Sequence, residues 1–440
     1  MEFLDLANFK KFVSFKSIST DSFFDSELRE CCNWLSNYLR SFCDEVWIFE
    51  TRNKPLVIAC CSGSFEDREP LSIYGHYDVQ PARMEEGWIS DPFELTERDG
   101  RLYARGAQDN KGQLWYSLQA VKRLKESGQL NRKVFFIIEG EEESGGQGSQ
   151  VFIKERGKQI LEGVKCVLVV DSGSVSESLE SITLGVRGVA WLEFIVEGPS
   201  SDLHSGVHGG LAPNPISEVS RLLTLMFSDG FQRISGFFEG YQGEPSQEYK
   251  KLVSLVEFND ESYAQLIGAQ KATLICHPFL LAFYPWMDAV GVYGGYSGEG
   301  FKNVIPSYSG VKLSIRTALG QSSAKVLESV RKFIQQNIDP HFRLKIIDEG
   351  VGGNPVLVPY EDPRVQKIIQ IIKNATGNPI VPQWMGASIP IVEVFNDICI
   401  LPIMMGFGLE SDNIHGPNES FKISQMEKGF RVLQEIIQRY

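Results

Sequence analysis

Apolar positions in the first third of the chain follow two alternating rhythms. Phe9, Phe12 and Val13, and later Leu28, Cys31, Cys32, Leu35 and Leu39, fall at helical spacing, so each set predicts a helix with one buried face. Residues 56–60 and 71–74 are short, nearly unbroken apolar runs, the signature of strands covered on both sides. The cycle then repeats, with helical spacing over 112–125 and apolar runs at 134–138 and 166–170. Strand, helix, strand in this order predicts an α/β fold with a mostly parallel sheet and flanking helices.

Near residue 186 the rhythm changes. Residues 191–196 alternate, the turn-forming Gly198-Pro199-Ser200-Ser201 follows, and 216–227 reads as a helix. The aromatic-rich stretch 231–296 holds no sustained period and predicts irregular structure, with Phe279, Phe283, Tyr284 and Trp286 as its core. A strand at 311–316, a helix at 323–337 and a strand at 342–347 complete an order that predicts a ferredoxin-like α+β module. A helix at 364–374 and a buried strand at 398–404 then resume the first pattern. The expected organisation is a domain in two parts, 1–187 and 351–440, interrupted by an inserted domain at 188–350. No internal repeat is visible.

Composition narrows the function. The 440 residues carry 43 Lys plus Arg against 56 Asp plus Glu, a net charge of −13. Such a surface repels phosphate backbones and anionic lipid, so no nucleic-acid partner is expected. The longest apolar runs fall well short of the roughly 20 residues of a membrane helix, so no membrane association is expected either. The first residues lack the basic and apolar regions of a secretory signal, which makes the cytoplasm the expected address. The 8 cysteines include two adjacent pairs and no CxxC spacing, and read as reduced, mostly buried thiols.

Several chemically able side chains follow predicted buried strands. His76 comes just after one, with Asp78 two residues on as a candidate partner for its ring. Asp109 lies in a glycine-bounded polar loop, 106–112, where it could equally cap the next helix. The run Glu139-Gly140-Glu141-Glu142-Glu143 follows the 134–138 strand, and Asp171 ends the next. Open α/β sheets place their sites at this carboxyl edge. His415 arrives late, after the 398–404 strand. Two imidazoles and three carboxylates exceed one closed four-ligand site and suit two divalent ions sharing a carboxylate, with one glutamate left over as a base.

The chain resembles the M20 family of cocatalytic metallopeptidases, most closely its dipeptidase branch, and the resemblance spans nearly its whole length. It is carried by His76-Tyr77-Asp78, the 106–112 loop around Asp109, Glu142-Glu143-Ser144-Gly145, Asp171, Asp202-Leu203-His204-Ser205-Gly206, Gly298-Glu299-Gly300 leading to Val304-Ile305-Pro306, Ser314-Ile315-Arg316, Ser388-Ile389-Pro390 and His415. The resemblance implies a zinc-aminopeptidase-like catalytic domain and an inserted lid that dimerises. It implies two divalent metal ions per subunit, zinc first and manganese or cobalt as alternatives. His76 and Asp171 would hold one ion, Glu143 and His415 the other, and Asp109 would bridge them through a peptide bond to Asn110 that is cis. Asp78 would orient His76, and Glu142 would be the general base for a hydroxide shared by the metals. His204 would serve the active site of a homodimer partner. Arg316 would bind the C-terminal carboxylate of a small peptide substrate, with Asn303, Ser388 and Gly386 nearby.

Two departures bear on substrate. Trp384-Met385 replaces the family's usual Arg-Glu, which suggests weaker recognition of a free amine, and Asn303 replaces a common threonine. The implied function is a dinuclear dipeptidase. An N-acyl amino acid amidohydrolase of the same family is the alternative enzyme, and a metal-binding protein without turnover is the alternative outside catalysis. His208, His277 and His341 have no matched partner and read as structural. Serine-hydrolase, nucleotide-binding and single-zinc HExxH motifs are absent from the sequence.

Overall fold

The computed structural model describes residues 4–65 and 67–440; residues 1–3, part of the amino-terminal stretch read above, lie outside it. Two compact units emerge. The first comprises the residues up to Leu184, Val358–Gln383 and Pro390–Tyr440, and the second Gly185–Leu357 with Trp384–Ile389.

The first unit is built on a mixed sheet whose centre is parallel. Strands Val134–Glu139, Leu71–His76, Cys166–Val169 and Leu401–Met404 lie side by side in that order, all parallel. Leu56–Cys61 joins Val134–Glu139 antiparallel, with Glu45–Phe49 outside it. Every residue of Leu56–Cys61, Leu71–His76 and Val134–Glu139 is buried, which is why these strands read as unbroken apolar runs. Helix Lys111–Glu126 is buried continuously from Lys111 to Val121, and Trp115 on it stacks on Phe9 of the first helix at 5.8 Å. The parallel strands deliver His76, Glu139 and the residue after Val170 to one carboxyl edge. No described helix is long and apolar enough to cross a membrane. No disulfide forms among the described residues, and six of the eight cysteines are buried.

In the second unit, Trp286–Gly294, Tyr308–Thr317, Gly188–Glu197 and Arg343–Gly353 form an antiparallel sheet in that spatial order. Helices Pro215–Phe227 and Ser323–Asn337 supply Val219, Leu222, Met226, Val326, Val330 and Ile334 to a core against Leu192, Phe194, Leu313 and Ile315. Chain order and strand order together are ferredoxin-like.

The stretch expected to be irregular holds an edge strand, Trp286–Gly294, and two short helices, Gln247–Val253 and Asp260–Leu266. The strand escaped notice because three successive residues, Asp288 to Val290, are exposed and a bulge breaks the alternation at Ala289/Gly291. Of the four aromatics expected as core, Phe283 is buried, whereas Phe279, Tyr284 and Trp286 are only half-buried. Trp384 takes the central place instead: it is fully buried, stacked on Tyr249 at 4.3 Å and edge-on to Phe283. A side chain so enclosed packs the insert.

Candidate active site

Asp109 sits between two histidines. Its Oδ1 lies 3.1 Å from His76 Nε2 and its Oδ2 lies 2.9 Å from His415 Nε2, so each oxygen faces a different ring. Asp171 Oδ1 stands 3.8 Å from His76 Nε2, and Glu143 Oε1 stands 3.4 Å from His415 Nε2. The result is two triplets sharing Asp109: His76 with Asp171, and Glu143 with His415. Within each triplet the candidate donor atoms all lie within 4.8 Å of one another. The Asp109–Asn110 peptide is cis.

The surrounding bonds hold these groups in register. His76 Nδ1 is 3.1 Å from the Asp78 carbonyl and 3.3 Å from its Oδ1, which leaves Nε2 turned toward Asp109. The Asp78 carboxylate also accepts the backbone N–H groups of Glu142 and Glu143 and the Ser19 hydroxyl. It thus fixes the 3₁₀ turn Glu142–Ser144 beside the histidine strand. Asn110 accepts from the His76 backbone N–H and donates to Val170 O and to Asp171 Oδ1. It is Asn110, not Asp109, that stands at the N-cap of helix Lys111–Glu126.

A buried pair closes the arrangement from the other side. Glu419 accepts from the backbone N–H groups of Gly106, Gln108 and Asp109, each at 3.0 Å, and from Arg105 Nη1 at 2.8 Å. Arg105 in turn donates to the His415 carbonyl. Sequence reasoning assigned no role to Asn110, Arg105 or Glu419. Their chemistry is ordinary, and their only sequence signal is nearness to Asp109 and His415.

Electrostatics show what this cluster lacks. Burial disfavours a charged His76, but Asp109, Asp171 and Asp78 together raise its pKa well above the usual imidazole value. Asp109 and Glu143 push His415 up to about 10. Burial opposes ionisation of Asp109, yet His415 and His76 hold its carboxyl well below the usual carboxylate range. Glu142 and Glu143 are both raised, chiefly by burial. Among the described residues, the ion pairs of Asp109, Asp171 and Glu143 run only to the two histidines, and Glu143 Oε1 is buried without a hydrogen-bond partner. The raised imidazole values reflect an acidic cluster that calls for positive charge. A mixed nitrogen and oxygen donor set with that need fits two divalent cations.

The other expected residues form two groups in the second unit. His204 lies on a two-residue ribbon against Val304, with its ring exposed and its Nδ1 accepting the Gly206 N–H; the neighbouring Ser205 N–H bonds the Asn303 carbonyl. Arg316 Nη1 donates to Ser388 Oγ at 3.1 Å, and Gly386 lies two residues earlier in the same segment. His277 accepts the Phe279 N–H through Nδ1 and lies 2.8 Å from the Val256 carbonyl through Nε2, and the exposed His341 pairs with Asp339, both structural uses.

Residues 72–439 match the model of peptidase family M20/M25/M40. Cys-Gly metallodipeptidase DUG1 of Saccharomyces cerevisiae is 31% identical over 406 residues, covering 88% of this chain and 82% of that protein. Beta-Ala-His dipeptidase of Rattus norvegicus is 29% identical, covering 83% and 76%. The solved structure of the M20 family metallo-carboxypeptidase Sso-CP2 of Sulfolobus solfataricus superposes with a TM-score of 0.86 at 26% identity, over 99% of this chain and 98% of that one.

Proposed function

Within peptidase family M20/M25/M40, to which this chain belongs, we propose that it is a dinuclear metallodipeptidase, cleaving dipeptides or short peptides that carry a free C-terminal carboxylate. The observation that carries this reading is Asp109, whose two oxygens face two histidines that each have a further carboxylate beside them. His76, Asp109 and Asp171 would hold one ion, and Asp109, Glu143 and His415 the other, zinc being the first candidate. Two such ions would lower the pKa of a water held there and polarise a carbonyl.

The chain's own groups supply the rest. Glu142 adjoins a ligand in sequence, yet its carboxylate accepts no hydrogen bond among the described residues, so it is free to take the proton of the attacking water and pass it to the leaving amine. Asp78 fixes the His76 ring and the Glu142 turn together. Arg316 offers a planar fork to the substrate carboxylate. His204, with Nδ1 occupied by Gly206, has Nε2 left to donate to a developing oxyanion in a partner subunit. The buried, unbridged cysteines agree with a reducing compartment such as the cytoplasm. The likeness to dipeptidases named for Cys-Gly and for Beta-Ala-His supports small unblocked peptides as substrates.

The test is a panel of dipeptides and N-acyl amino acids presented to protein loaded separately with zinc and manganese. Dipeptides should be hydrolysed, and a chelator should abolish turnover that added metal restores. Preferential hydrolysis of the N-acyl amino acids would make the protein an amidohydrolase instead.

A further inference from the structure

Arg187 is a buried cation for which the reading above has no use. It is 7% exposed and has no ion pair among the described residues. Its backbone is tied on both sides to the segment bearing Ser388: its N–H donates to the Ala387 carbonyl, and its own carbonyl accepts the Ser388 hydroxyl at 2.7 Å. Its Nε donates to the Leu281 carbonyl, which fixes the plane of the guanidinium. Neither Nη group has a hydrogen-bond partner among the described residues.

Arg316 reaches the same segment. Its Nη1 donates to the Ser388 Oγ that in turn donates to the Arg187 backbone carbonyl, so one hydroxyl ties the Arg316 side chain to the Arg187 main chain, and Arg316 likewise has no ion pair among the described residues. Burial pushes the Arg187 pKa down to about 10; nearby Cys276 raises it, Arg316 adds to the lowering, and the exposed Asp288 raises it from beyond ion-pair distance. Two neighbouring guanidiniums with open N–H groups and no paired anion form an uncompensated arrangement, which a bound anion would relieve. The approach is bare. A Cβ placed on Gly386 would come within 3.1 Å of Leu281 Cδ1 and 3.4 Å of Arg187 Nη2, so the absence of a side chain there leaves the guanidinium uncovered.

We propose that Arg187 is a second carboxylate-binding residue, forming with Arg316 and the linking Ser388 one two-guanidinium subsite for the free C-terminal carboxylate of the substrate. This rests on the dipeptidase reading and extends it: the carboxylate is held by two forks, and a substrate lacking it is rejected because both cations stay unpaired.

The experiment compares the best dipeptide of the panel with its C-terminal amide on wild-type protein, Arg187→Met, Arg187→Lys and Arg316→Met, after thermal unfolding has shown which variants fold. The reading is KM, or the inhibition constant where no turnover is seen. Wild-type protein should favour the acid. Arg187→Met should weaken the acid by about 10- to 100-fold, with kcat within about threefold and the amide little changed. Arg187→Lys, which keeps charge but loses the fork, should fall between and carries the test if the Met variant does not fold. If Arg316→Met abolishes the preference for the acid while both Arg187 variants keep it, Arg187 has no part in the subsite. If wild-type protein does not distinguish acid from amide, the carboxylate reading of Arg316 falls as well.

Discussion

Glu142 and Glu143 are adjacent in sequence and differ in surroundings. Glu143 turns Oε1 toward His415 and accepts from Gln80 through Oε2, whereas Glu142 accepts no side-chain bond among the described residues. Glu143→Gln should therefore release about one of two metal equivalents, measured by metal analysis after dialysis. Glu142→Gln should keep both and lower turnover by several orders of magnitude. The reverse pattern would shift the register of the two roles by one residue. Asp412, three residues before His415, offers a test by pH. Burial raises its pKa to about 6, against the opposing bonds from the Leu409 N–H and Arg101. A folded-state value above the ordinary carboxylate value means that the native protein binds the proton more tightly than the unfolded chain does. Below about pH 4 both states are protonated and the group costs nothing; above about pH 6 its penalty is complete, up to about 3 kcal/mol. Asp412→Asn should thus gain stability relative to wild type as pH rises from 4 to 6, followed by denaturant unfolding. A difference that does not move with pH would show that Asp412 titrates as an ordinary aspartate.

At the scale of elements, the parallel strands were legible because burial on both faces leaves no polar position to break the run, and this placed His76, the glutamates and Asp171 at one edge. Glu45–Phe49 and Trp286–Gly294 were not legible: each has exposed or half-exposed residues, and packing rather than pattern decides such positions. The clamp made by Arg105 and Glu419 was hidden for another reason. A buried ion pair between residues 314 apart leaves no mark on local periodicity. Its consequence is measurable. Glu419 gathers three backbone N–H groups of the loop bearing Asp109, while Arg105 holds the carbonyl of His415, so the pair sets the distance between two candidate ligands. Glu419→Gln would turn an amide N–H toward those donors. We expect it to lower metal affinity about 10- to 100-fold, read by chelator competition in protein that remains folded. Unchanged affinity with lowered thermal stability would make the pair a structural support only.

For the whole molecule, the question is whether one subunit suffices. The outer strand of the antiparallel sheet, Trp286–Gly294, is an unpaired edge that exposes Val290 and Val292 at 64% and 57%. Such edges are ordinarily covered or blunted, and a second copy of the chain would cover this one. His204 lies in the same unit, exposed, with Nδ1 accepting the Gly206 N–H and Nε2 without a described partner. Both observations favour a dimer in which each insert lends its histidine to the other subunit. Sedimentation should first show a dimer. Glu142→Gln and His204→Ala proteins, each inactive alone, should then complement when mixed. Random exchange of equal amounts makes about half of the dimers mixed. Each mixed dimer joins the intact Glu142 of one subunit to the intact His204 of the other at one of its two sites, so about a quarter of wild-type activity should return. If His204 served its own subunit, no combination would contain a complete site and the mixture would stay inactive. Exchange confirmed by differently tagged subunits, with no activity recovered, would therefore reject the shared site, as would a fully active monomer.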